Sequence, residues 1–294
     1  MNVEPTANEG NSMEKNLKNL KKQFQERGIY YTPEAMAETL KGYVDFTPTA
    51  VYDPTCGQGN LLSVFPEGVP KYGQEIDAAE LDKARERLRN FHGFAGDTLT
   101  NDGFPDMRFD CIVANPPFSV KWTPNDADPR FAQAGVIPPP SKADYAFLLH
   151  CLWHLSEHGK AIVVQFPGVL YRGQREGKIR QWMVEGNLIE RVVRIPPKSF
   201  VDTAIETCVI IFNKSKADTN ITFEDRETGA ETVATLDDVR GQGFTLSTSA
   251  YIQTEDKRET VDIVALNAEI KTIVARQNVL RGAIDDIIAE IEGD

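Results

Sequence analysis

Several things are scarce in this sequence. Its 294 residues include four cysteines, Cys56, Cys111, Cys151 and Cys208, far apart and with no CxxC pair. That spacing speaks against a zinc finger and against a disulfide framework, and scattered thiols fit a reducing compartment. No apolar run approaches the ~20 residues that span a bilayer. The polar start, MNVEPTANEGNSMEKN, has no signal-peptide core. A cytoplasmic chain without membrane attachment is expected. Positive charge is short as well: 32 Lys and Arg stand against 44 Asp and Glu, a net charge of −12. Proteins that grip nucleic acid unaided usually show a basic face, because phosphate neutralisation supplies most of the affinity. A nucleic-acid substrate would therefore call for a helper or for a local basic face. Histidine is rare too, with four in all. His150, His154 and His158 fall four apart on one expected helix, a spacing that can align metal ligands. HCLWH lacks the glutamate of HExxH, however, and no carboxylate stands suitably near in sequence, so no metal is expected.

What is present is alternation. Residues 1–12 read as disordered. MEKNLKNLKKQFQER (13–27) suits a short basic helix with Leu17, Leu20 and Phe24 on one face. In GIYYTP, Thr32 stands where an N-cap belongs and Pro33 suits the first turn of a helix running to Val44. Strands are expected at 50–53, 71–76, 93–97, 109–114, 161–166, 187–195 and 206–214. Helices fall between them at 77–91, with Asp77 as cap, at 143–159, closed by Gly159, and over GQREGKIRQWMVEG. This order predicts an α/β fold, a Rossmann-like, doubly wound and mostly parallel sheet, over 13–216. A small irregular extension follows at 217–258. In 259–294, Ile263, Leu266, Ile270, Ile273, Leu280, Ile284, Ile287 and Ile291 keep a 3-4 heptad register interrupted at Gln277. Such a coiled-coil-like helix pairs with another chain or packs on its own domain.

The first strand ends in VYDPTCGQGN. Gly57 and Gly59 let the backbone turn sharply beside a ligand. The loop is neither GxGxxG nor GxxxxGK[ST], and no lysine stands ready for phosphates. Acids occupy the strand ends instead: Asp53, Glu75 and Asp97. Each alone reads as a cap or a solvated turn. Together around a Gly loop they suit a phosphate-free nucleoside with a positive centre, and S-adenosyl-L-methionine, a sulfonium, fits. Glu75 is placed for ribose hydroxyls, and Asp97 for an adenine amino group.

The fourth strand, FDCIVA, stops at Asn115-Pro116-Pro117-Phe118. Two prolines cannot donate ladder hydrogen bonds, so the strand must end there. An adenine amino group is a poor nucleophile, because its lone pair is delocalised into the ring. The Asn115 side-chain oxygen and the Pro116 carbonyl can accept its two N–H bonds and favour tetrahedral geometry. Prolines preorganise those acceptors, and Phe118 offers a face to a base taken out of the stack. The competing reading is a rigid turn that merely ends a strand.

DPTCGQGN followed by NPPF resembles the amino-methylating DNA methyltransferases, and most closely the methylation (modification) subunit of Type I restriction–modification systems. GIYYTP, YGQEI, GDTL, SKADYAFLLHCLWHL, GVLYRGQREGKIRQWM and IPPKSFVDTAIETCVIIFNK resemble further segments of that family, so the likeness covers about residues 13–255. It implies an adenine-N6 DNA methyltransferase that uses S-adenosyl-L-methionine. Asn115, Pro116, Pro117 and Phe118 would be catalytic. Tyr30, Tyr31, Thr32, Pro33, Asp53, Thr55, Gly57, Gly59, Glu75, Asp97, Thr98 and Asn115 would hold the cofactor. Two departures stand out: only about 27 residues precede GIYYTP, where the family carries a helical domain, and no large target-recognition insertion is evident. DNA is thus the expected substrate, with a specificity subunit or a second copy docking through the last helix, although a chain working alone stays open. The Pro-rich loop 119–141 is expected to border the flipped base and to order on DNA. Alternatives are methylation of cytosine N4 or of a protein glutamine, or a non-catalytic cofactor-binding scaffold.

Overall fold

The computed structural model describes residues 32–197, 199, 206–252 and 263–293. The expectations for residues 1–12, for the helix over 13–27 and for Tyr30 and Tyr31 lie outside them. A compact unit ends at Gln253, and a second begins at Thr254.

The first unit is organised by one nine-stranded sheet. Its strands are β1 (Val51–Asp53), β2 (Lys71–Glu75), β3 (Phe91–Ala95), β4 (Phe109–Ala114), β5 (Leu155–Gln165), β6 (Ile189–Ile195), β7 (Thr207–Asn213), β8 (Ile221–Asp225) and β9 (Ala230–Ala234). They lie in the order β3-β2-β1-β4-β5-β7-β6-β8-β9. From β3 to β5 every neighbour is parallel, while β7 enters antiparallel between β5 and β6. The fold is thus the expected doubly wound α/β sheet.

Alternation along the central strands explains why both faces are covered. Tyr52, Ile112, Ala114, Ala161 and Val163 enter one core cluster. Val51, Cys111, Val113, Ile162 and Val164 enter the other. Strands buried on both sides read as continuous apolar runs, which is how FDCIVA and AIVVQF read. β2 and β3 extend one way from β1, and β4 and β5 the other. The order therefore reverses between β1 and β4, and a crevice opens at their carboxyl ends.

Helices α1 (Glu34–Lys41), α2 (Asn60–Ser63), α3 (Ala78–Arg87), α4 (Pro129–Ala132), α5 (Asp144–His154), α6 (Gln174–Glu185) and α7 (Leu236–Gly241) complete this unit. Asp77 caps α3, accepting from Ala79 N at 2.9 Å. Three local expectations change. The helix expected over 143–159 ends at His154, and Leu155 already has extended backbone. Gly159 is not its cap but lies within β5, where an added Cβ would come within 3.0 Å of the Phe109 carbonyl. The supposed irregular extension adds β8 and β9 to the sheet, joined through Gly229 at φ 73°. At five residues each, β8 and the edge strand β9 are too short for a period to stand out in sequence. Thr32 does not cap α1; Pro33 holds that position without a side-chain hydrogen bond.

The second unit contains α8 (Ile263–Glu292), 30 residues long with none buried. Its heptad residues, Ile263 through Ile291, are all exposed. Among the described residues no helix is long and apolar enough to cross a membrane.

Candidate active site

A cleft of about 740 Å³ opens at the carboxyl ends of β1 to β4, within the range of small-molecule sites. Thr32, Asp53, Thr55, Gly57, Glu75, Asp97, Thr98, Asn115 and Pro117 line it, so most of the expected site converges there. Pro33, Gly59, Pro116 and Phe118 are not among its lining residues. Gly59, at φ 77°, serves packing: a Cβ there would sit 2.5 Å from Leu88 Cδ1.

Each strand-end acid is fixed by the turn beside it. Asp53 Oδ1 accepts from Thr55 N at 2.9 Å, and Glu75 Oε2 accepts from Gly57 N at 2.9 Å. Gly57 reaches that bond with φ 51°, a left-handed conformation that glycine adopts freely. Asp97 Oδ1 accepts from Leu99 N at 3.0 Å, and Thr98 Oγ1 donates to the Pro54 carbonyl. The turn role and the cleft role therefore coexist in the same carboxylates. Asp53 is fully buried; desolvation, helped by the nearby Glu75 charge, pushes its carboxyl up to about 8. Burial, with Asp53 and Glu75 close by, likewise pushes the Cys56 thiol far up, leaving it an inert filler.

Asn115 and Pro117 bring the Asn115–Phe118 turn to the same cleft. Asn115 Nδ2 donates to Thr32 Oγ1 at 3.1 Å, and the Thr32 carbonyl accepts from Asn60 Nδ2 at 2.9 Å. Thr32 thus orients the Asn115 amide instead of capping a helix. Pro116 is buried. Phe118 packs, partly buried, against the core cluster on the Val51 face. Ser119 follows at φ 55°, and its N–H donates to the fully buried Asp144 at 2.7 Å. Arg172 holds the other Asp144 oxygen at 2.6 Å. A left-handed non-glycine residue anchored by a buried ion pair fixes the downstream end of the turn.

A family model described as N-6 DNA Methylase matches residues 10–280. The chain belongs to the N-6 DNA methylase family. It is 30% identical to the Type I restriction enzyme MpnII methylase subunit of Mycoplasma pneumoniae, across 91% of this chain and 61% of that protein. Identity is 26% to the MjaIX methylase subunit of Methanocaldococcus jannaschii, across 89% and 59%. Among solved structures, the type I restriction-modification system methyltransferase subunit from Streptococcus thermophilus superposes with a TM-score of 0.69 at 28% identity, covering 76% of this chain and 59% of that one. The chain spans about 60% of the length of these relatives.

Behind the cleft of this N-6 DNA methylase family member lies a buried polar network that its sequence does not announce. A carboxylate does stand beside two of the histidines: Asp102, His150 and His154 present ligand atoms within 4.8 Å of one another. Spacing along the chain could not show it, because the loop before β4 delivers Asp102. His158 lies apart, exposed on β5. Arg130 Nη1 is 3.1 Å from His150 Nδ1 and 3.3 Å from Asp102, so a guanidinium sits where a cation would have to go. Burial opposes ionisation of Asp102, yet the His154 hydrogen bond and the adjacent His150 and His154 hold its carboxyl down at about 2. Desolvation holds His150 well below the usual histidine range, and the neighbouring His154 adds to the effect. His150 Nε2 meets the buried Tyr52 hydroxyl at 3.0 Å.

Sequence reading also missed Ile76, Trp122 and Phe147, which line the cleft. Ile76 left one signal, a large aliphatic side chain directly after Glu75, and it is 69% exposed.

Proposed function

We propose that this chain transfers the methyl group of S-adenosyl-L-methionine to the N6 amino group of a flipped adenine in DNA, as the modification subunit of a restriction–modification system. One observation carries the reading: Asn115, Pro117 and the strand-end acids line one cleft, with Asn115 hydrogen-bonded to Thr32. The donor set supports the cofactor. Five acids, Asp53, Glu75, Asp77, Glu80 and Asp97, line the cleft against a single basic residue, Lys121. Even with Asp53 protonated at neutral pH, four carboxyl groups against one lysine favour a cationic nucleoside and disfavour a polyphosphate.

When bound, the cofactor supplies an electrophilic methyl group on a positive sulfur. Glu75 would take ribose hydroxyls, Asp97 the adenine amino group, and Asp53 the positively charged methionine end. Asn115 Oδ1 and the Pro116 carbonyl would accept the two hydrogens of the target amino group and draw its lone pair out of the ring. The prolines hold those acceptors in place before the base arrives, so little reorganisation is needed. Phe118 would stack on the extruded base.

Net charge of −12 is unfavourable for holding DNA alone. Exposed heptad residues on α8 suit a second helix, so a specificity subunit is the expected partner and the cytoplasm the expected location. The test incubates purified protein, with and without that subunit, with labelled S-adenosyl-L-methionine and DNA lacking adenine methylation. N6-methyladenine in the digest is the expected product. N4-methylcytosine, or no methylated base in either arm, overturns the reading.

A further inference from the structure

Arg130 lies in α4, inside the Pro-rich segment 119–141, far in sequence from the acids of the cleft. It is buried, and its guanidinium reaches four stretches of chain. Nη1 donates to the Thr98 carbonyl at 2.9 Å, and Nη2 donates to the Leu99 carbonyl at 3.0 Å. Nε and Nη2 donate to Asp128, at 3.1 and 2.7 Å. Nη1 also meets His150 Nδ1 at 3.1 Å and lies 3.3 Å from Asp102. A planar fork engaged along its whole edge has one orientation, which a lysine cannot reproduce.

The Thr98 carbonyl and the Leu99 N–H belong to the same peptide unit. Arg130 holds that unit by its oxygen, and Asp97 Oδ1 accepts from its N–H at 3.0 Å on the opposite side. A peptide unit is planar, so fixing the carbonyl fixes the direction of the N–H. We propose that Arg130 is a positioning residue for Asp97: through the 98–99 peptide it sets the carboxylate that recognises the cofactor's adenine. The proposal rests on the cofactor reading above and adds a residue that touches neither cofactor nor DNA. It also changes the meaning of segment 119–141. The same stretch brings Val120, Lys121 and Trp122 to the cleft, and Trp122 packs edge-on against buried Phe131 at 4.8 Å. These residues put one end of the segment, expected to border the flipped base, on the wall of the cleft.

The test is equilibrium binding of S-adenosyl-L-methionine to the full chain by calorimetry, for wild type, Arg130→Lys, Asp97→Ala and the double variant. Arg130→Lys is expected to weaken binding roughly tenfold, the loss of one well-made buried hydrogen-bonded contact. The double variant should bind no more weakly than the poorer single variant, because both changes remove one interaction. A purely structural role would multiply the two losses, and that result overturns the proposal. Asp128→Asn, which loosens the guanidinium without removing it, is the second variant, with an expected loss of roughly threefold that again vanishes in the Asp97→Ala background. Should Arg130→Lys fail to fold, wild-type affinity in Asp128→Asn overturns the proposal. If wild type itself does not bind, the cofactor reading falls and this inference with it. Equal binding by wild type and variants sinks the inference alone.

Discussion

On one arm of the cleft, Asp53, Glu75 and Asp97 each accept a backbone N–H from the turn beside them, at 2.9, 2.9 and 3.0 Å. On the other, Asn115 stands before two prolines and donates to Thr32 at 3.1 Å. On the proposed reading the first arm works by charge. It is sensitive to burial and protonation, as the carboxyl of Asp53, pushed up to about 8, shows. The second arm, Asn115 to Phe118, contains no titratable side chain and works by fixed geometry. The two should therefore fail in different ways, one losing cofactor affinity and the other losing the transfer step.

The largest expected effect is on the geometric arm. Asn115→Ala removes one of the two acceptors proposed for the amino group, and loss of a preorganised polar contact of this kind costs about 10²–10³ in rate. Although the family resemblance also puts Asn115 among the cofactor-holding residues, cofactor affinity should change by less than about threefold, because the charged arm is untouched. Single-turnover methylation and calorimetry on the same preparation check both numbers. A variant that transfers normally but binds cofactor poorly would assign Asn115 to the wrong arm.

Next comes Asp53→Asn, where affinity and stability should move in opposite directions. At pH 8 and above, where Asp53 is ionised, affinity should fall by roughly tenfold or more, since the positive ligand loses a nearby negative charge. For stability, the folded protein holds the Asp53 proton more tightly than the unfolded chain, whose carboxyl titrates near 4. The folded state therefore binds more protons between pH 4 and 8, and stability drains away across that window as pH rises. Asparagine never ionises. The melting temperature of the variant should exceed that of wild type at pH 8, and the gap should close towards pH 4. A lower melting temperature at pH 8 would show that Asp53 is held by favourable contacts and is not strained by burial.

The arms also differ in how plainly they are written. Asp53, Gly57, Glu75, Asp97 and Asn115 are legible because each ends or closely follows a strand, or sits in a loop whose residue types have few other uses. Their supports are not. Arg130 reaches Thr98 across 32 residues, Asp144 reaches Ser119 across 25, and Thr32 reaches Asn115 across 83. A hydrogen bond between distant segments leaves no period to detect. The fold divides similarly. Strands buried on both faces were plain, whereas β8 and β9, five residues each at one end of the sheet, were not. The helix 143–159 was overextended because ADYAFLLHCLWHL runs straight into another apolar element, and the turn to β5 carries no breaker until Gly159.

A smaller effect sharpens the comparison through pH. If the positive end of the cofactor is held by ionised Asp53, binding must release the proton that the empty site keeps below about pH 8. Affinity should then rise by up to roughly tenfold per pH unit between pH 6 and 8 and level off above. In Asp53→Asn the slope should vanish, and the transfer rate at saturating cofactor should lack it in both proteins. A wild-type affinity flat across that range would mean that another carboxylate carries the charge.

The smallest expected effect separates charge from shape within the acidic arm itself. Cys56 sits in the Gly loop between Asp53 and Glu75, but burial pushes its thiol far above the usual range, so it contributes no thiolate. Its Sγ fills the space over Gly73, where an added Cβ would come within 2.7 Å of the sulfur. Cys56→Ala removes one atom from that contact and no charge from the cleft. Cofactor affinity should stay within about twofold of wild type, with a stability cost of about 1 kcal/mol for the small void. Thiol-directed reagents should leave binding intact in the folded protein, because reaction requires an accessible thiolate. Rapid inactivation by such a reagent, lost in Cys56→Ala, would make Cys56 a reactive member of the arm and would show that the loop opens far more than its packing implies.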